Sequence, residues 1–204
     1  MHRRELFDRL GSLGVGVALA SPSVQARDHA GGHAAATTPV SAACAHFCGI
    51  HLAKQDPKFQ LIAQHYCSPC GENMHQCLLY DSCEKNAKLL GVEYIVADSI
   101  YRRLPDAEKK YWHPHTYEVL AGGLIAPALT WDDELKFMKG ILTTWGKTWH
   151  TWPDPSTPVP MGEPLLMWAA TGDGQIDPEV LARRDKQFGT AAAKIRVQRC
   201  RALG

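Results

Sequence analysis

The stretch QHYCSPCGENMHQCLLYDSCEKNAKLLGVEYIVA, residues 64–97, decides the fold. Residues 59–67 lead into a strand around Gln64–Cys67, SPCGEN is turn chemistry, and HQCLLYD (75–81) reads as a second strand. KLLGVEYIVA (88–97) is a third strand, with Val92, Tyr94 and Val96 on one face. Strands cluster here and helices fill the gaps around them, without a regular βαβ alternation. The expected class is α+β, a single domain with a mostly antiparallel sheet and flanking helices.

Upstream, residues 42–54 have helical spacing, with Cys44, Cys48 and His51 on one face, and Asp56-Pro57 ends the segment. Downstream, Asp98 or Ser99 can cap a short helix that stops before Pro105, and another turn runs through Tyr111. WHPHTYEVLA (112–121) reads as a strand, confined to an edge or a bulge by Pro114. Thr130 and Asp133 have capping-box spacing before an apolar stripe of Leu135, Met138, Ile141, Leu142 and Trp145, which predicts a helix that stops at Gly146. KTWHTW (147–152) and PLLMWAA (164–170) read as strands, and Asp177-Pro178 opens a C-terminal helix.

The 204 residues suit one domain, and 45% hydrophobic with 21% charged residues is ordinary globular composition. Net charge is +1, so nucleic acid is not an expected partner; the basic cluster Lys194–Arg201 reads as a solvated helix face. Residues 1–26 resemble an export signal. Arg3 and Arg4 precede a mildly apolar Leu10–Ala20 stretch, and Ser23-Val24-Gln25-Ala26 offers a cleavage site. The arginine pair is twin-arginine-like, implying that export machinery as a partner and a periplasmic or otherwise exported location. Residues 27–41 read as a flexible linker and 42–204 as the folded domain. The apolar stretch is too short to span a bilayer.

The chemistry concentrates in histidines. On a strand, His65 pairs with Cys67 on one face, and His113, His115 and Tyr117 share a face with Glu118 opposite. His65, His113 and His115 could hold one transition metal (zinc, copper or iron), with His150 or Glu118 completing the shell. The competing readings are core histidines with satisfied rings, and histidines acting as acid or base without metal. A buried carboxylate such as Glu93 could orient a metal-bound histidine. Seven cysteines in an oxidising compartment permit disulfides, and Cys70 with Cys83 would staple the 67–83 region. Cys67-Ser-Pro-Cys70 lies in poor context for a redox motif.

The ordered motifs HFCGIH, DPKFQLIAQHYC, QCLLYDS, AKLLGVEYIV, LPDAEKKYWHPHTYEV, LIAP, GKTWHTW and RRDKQFG resemble the oil-body-associated protein family across residues 42–190. The resemblance implies lipid association but no assigned reaction. It implies that His51, His65, Cys67, Cys77, Tyr80, Asp81, Glu93, His113, His115, Glu118 and His150 belong to the family pattern. His51, Cys67, Cys77, Tyr80 and Glu93, together with Tyr117 on the His113–His115 face, are taken as supporting residues of a metal site. This chain departs from the pattern in its export signal, in Pro114, and in Cys70 and Cys83. Three expectations follow: a metal-binding protein, a non-catalytic lipid- or envelope-associated protein, and a structural module without metal.

Overall fold

A computed structural model describes residues 38–204; the expected export signal, and the linker up to residue 37, lie outside them. In chain order the elements are β1 (Ala45–Ala53), β2 (Gln60–Pro69), β3 (Met74–Tyr80), β4 (Leu89–Ala97), α1 (Asp98–Tyr101), α2 (Asp106–Lys109), β5 (His113–Pro114), α3 (Thr116–Leu120), α4 (Trp131–Ile141), β6 (Thr144–His150), β7 (Leu165–Trp168), α5 (Pro178–Phe188) and α6 (Ala192–Leu203).

The antiparallel sheet and flanking helices are as expected, but the sheet is closed. Strands run β4-β3-β2-β1-β7-β6, and β4 pairs with β6 over Gly91–Ala97 and Thr144–His150, so six strands form an antiparallel barrel. Closure leaves β1–β4, β6 and β7 without an open edge in the ring. β5 adds two residues to β6, opposite Gly146 and Trp145.

The register decides what faces inward. Phe47 is opposite His65, Cys67 opposite Cys77, Cys77 opposite Glu93, Glu93 opposite Thr148, and Thr148 opposite Met167. Residues directly opposite share a face, so one continuous ring of side chains lines the interior. Phe47, Leu79, Ile95, Met138 and Ile141 supply its apolar part.

Within residues 42–54, Ala45–Ala53 form a strand, not the expected helix. The outer side of β1 is covered too: Ile50 and Leu52 pack with Val180 of α5, and Cys48 with Ile195 of α6. A strand buried on both faces loses its alternation, and the helical spacing of Cys44, Cys48 and His51 is coincidental.

The 112–121 expectation also changes. Pairing stops after Pro114, and Thr116–Leu120 is a helical turn that puts His115 and Glu118 on one side. α4 begins at the expected Thr130 cap, whose hydroxyl accepts from Asp133 N, but ends at Ile141. Trp145 is in β6, its ring stacked on Tyr101 with centroids 3.6 Å apart. The basic C-terminal face is not wholly solvated, because Arg199 is fully buried.

Candidate metal centre

Glu93 lies at the centre of the barrel interior. Its Oε2 is 2.9 Å from His65 Nε2; its Oε1 is 3.3 Å from His115 Nε2 and 3.5 Å from His113 Nε2. His65 Nε2 is also 3.1 Å from His51 Nε2, and His51 Nδ1 is 3.0 Å from His150 Nε2. Glu118 Oε1 lies 3.8 Å from His115 Nε2. All seven side chains are buried. The histidines expected to cluster therefore do, with Glu118 at the margin. His51 and Glu93, expected only to support, are at the centre.

Two rings have fixed tautomers. His65 Nδ1 is 3.1 Å from Ala63 O, a carbonyl that can only accept, so Nδ1 carries the hydrogen. His115 Nδ1 is 2.7 Å from Thr144 Oγ1, which itself donates to Ile141 O at 2.7 Å, so the hydroxyl accepts from the ring. Each neutral ring then turns an ε-nitrogen lone pair toward the Glu93 carboxylate. Lone pairs and a carboxylate repel unless each ring takes a second proton or a cation lies between them.

The electrostatics reflect this crowding. Burial pushes His113 and His150 down to about 3, and pushes His51 well below the usual imidazole range with help from His65 and His150. Burial opposes ionisation of Glu93, but the facing His115 and His65 rings prevail and hold its carboxyl well below the usual range. Burial drives Glu118 up to about 8. His115 is lowered by burial and raised more by Glu93 and Glu118. Among the described residues, His113 Nδ1, His150 Nδ1 and Thr148 Oγ1 are buried without a hydrogen-bond partner.

Gly146 makes room. A Cβ there would stand on Glu93 Oε1, 2.7 Å from His115 Nε2 and 2.9 Å from His113 Cε1. The spacings of Glu93 Oε1 from His115 and His113, 3.3 and 3.5 Å, match the roughly 3.3 Å between tetrahedral ligands at zinc–nitrogen bond lengths.

Other expected residues sit elsewhere. Cys67 and Cys77 form a cross-strand disulfide, Cα atoms 4.0 Å apart, on the strand face next to Glu93; Cys70 and Cys83 are free thiols, which replaces the expected Cys70–Cys83 staple. Tyr80 pairs with Gln64 on the outward face, and Tyr117 donates to Asp173 at 2.6 Å. Sequence reasoning missed Arg184 and Arg199. Both are fully buried and donate to the carbonyls of Gly122, Gly123, Val119 and Leu124, bracing the segment that follows Glu118.

Residues 37–202 match the family described as Protein of unknown function (DUF1264). The chain is 39% identical over 154 residues to Oil body-associated protein 1B of Arabidopsis thaliana, covering 75% of this chain and 64% of that protein. It is 36% identical over 162 residues to Oil body-associated protein 1A of Zea mays, covering 79% and 68%. The chain thus spans just under two thirds of the first relative's length. No solved structure matches it.

Proposed function

We propose that this chain, which belongs to the DUF1264 family with the oil body-associated proteins, is a transition-metal-binding protein. The observation that carries this reading is the convergence of His65 Nε2 and His115 Nε2 on Glu93, with both δ-nitrogens already committed. Ligating histidines characteristically tie down the far ring nitrogen in this way. Nitrogen-rich sites with a carboxylate suit zinc, copper or iron.

The test is elemental analysis of the purified full chain, with and without His113→Ala/His115→Ala. Bound transition metal that falls in the variant supports the reading. A folded, metal-free wild type that takes up no zinc, copper or iron on reconstitution, and whose melting is unchanged by chelator, overturns it.

A second reading draws on the relatives' names. Leu129 and Trp131, both exposed, line a groove of about 480 Å³ together with Lys194. Apolar side chains next to a cation suit the surface of an anionic lipid layer. Vesicle co-sedimentation that is lost in Leu129→Ser/Trp131→Ser supports this reading, and unchanged co-sedimentation rejects it. Export by the twin-arginine-like segment belongs to the same proposal. The Cys67–Cys77 disulfide is of the kind that persists in oxidising compartments.

A further inference from the structure

We propose that the barrel holds two metal ions bridged by the Glu93 carboxylate; this rests on the metal-binding reading above and specifies its ligands. The donors fall into two triads. In the first, His51, His65 and Glu93 offer atoms that all lie within 4.8 Å of one another; in the second, Glu93, His113 and His115 do the same. Glu93 is the member they share.

Its two oxygens divide between them. Oε2 faces His65 at 2.9 Å, while Oε1 faces His113 and His115 at 3.5 and 3.3 Å. A carboxylate presenting one oxygen to each of two histidine pairs has the geometry of a bridge. Such bridges hold two ions about 3.5–4 Å apart.

The surroundings fit two charges better than one. A single divalent ion at either triad leaves the histidines of the other triad around the same carboxylate with only protons to balance it. Glu118, 3.8 Å from His115, adds negative charge on the side of the second triad, and His150 backs His51 on the side of the first. Gly146 keeps space open against Glu93 Oε1 and His115 Nε2, at the second triad.

The experiment loads the metal-free full chain with zinc, removes excess, and counts ions by elemental analysis; copper(II) loading is then followed by electron paramagnetic resonance. Wild type should hold about two equivalents, and its copper signal should fall below the copper found chemically, because bridged spins couple. His51→Ala/His65→Ala and His113→Ala/His115→Ala should each keep about one equivalent, with all copper visible. Gly146→Ala, which removes no ligand, should also keep about one. About one equivalent in wild type, lost in both double variants, overturns the bridged pair and leaves a single-ion site standing. No uptake by a folded wild type overturns both readings. The wild-type count decides the matter even where a variant fails to fold.

Discussion

Thr144 Oγ1 accepts a hydrogen bond from His115 Nδ1 at 2.7 Å, and so sets which nitrogen of that ring faces Glu93. Thr144→Val keeps the shape and removes the acceptor. We expect zinc affinity to fall by about 10–100-fold, the usual effect of losing such a partner, with Thr144→Ser restoring most of it. Competition titration against a chelating dye gives the number. Unchanged affinity in the valine variant would remove Thr144 from the account.

Arg199 connects α6 to the segment behind Glu118. Its Nη1 donates to Val119 O at 2.7 Å and Leu124 O at 2.8 Å, and its Nη2 lies 3.0 Å from Glu134 Oε1. Arg199→Ala takes the cation from beside Glu134, leaving it only the Ala126 N–H, and takes a donor from two backbone carbonyls. A loss of about 3–5 kcal/mol is expected, read as a lower urea midpoint, whereas Arg196→Ala at the exposed Asp173 pair should change little.

Metal-free protein should be acid-labile. His113 and His150 are held at about 3 against 6.5 when unfolded, and His51 is held low as well. Below pH 6.5 the unfolded chain binds more protons, so the stability these rings contribute is full above that value and is lost as pH falls toward 3. Glu118 acts oppositely: held at about 8, it contributes fully below 4.5 and loses that contribution as pH rises through 8. Three rings outweigh one carboxyl between pH 6.5 and 4.5, giving a net loss on the order of 2 kcal/mol per pH unit. Urea midpoints in chelator across this window test the slope, and His113→Gln should flatten it.

The thiols should separate by environment. Burial pushes Cys48 up to about 12, while Cys44, Cys83 and Cys200 are exposed. Iodoacetamide on native protein should modify the exposed three and spare Cys48 until the chain unfolds, as followed by mass spectrometry. Cys67→Ser/Cys77→Ser opens a link across a separation of 10 residues and should lower stability by about 2–3 kcal/mol.

The strands from Gln64 to Ala97 were legible because their turns carry Ser, Pro, Gly and Asn, and their faces alternate. On β4, Val92, Tyr94 and Val96 were correctly placed together, which by parity puts Gly91, Glu93 and Ile95 on the opposite, inward face. That parity was the available signal for Glu93, which the sequence marks as a buried support for a histidine ligand and the fold places among the ligands themselves. β1 was illegible for a physical reason: α5 and α6 cover its outer side, so AHFCGIHLA shows no period of two. TYEVL was misread because Tyr and Val favour strands in isolation, whereas here a single helical turn is held by tertiary contacts, including those of Arg199. Barrel closure could not be read at all, since the β4–β6 seam is a pairing between segments about fifty residues apart.

That seam also sets an order of events. The β1–β2, β2–β3 and β3–β4 pairings join neighbours in the chain and can form early, whereas β4–β6 and β1–β7 must close long loops. Until those seams close, the imidazoles are open to the surrounding solution; afterwards they are sealed off. A cation that bound there would therefore enter and leave at the rate at which those seams part, so exchange would be slow while the final occupancy would still be set by affinity.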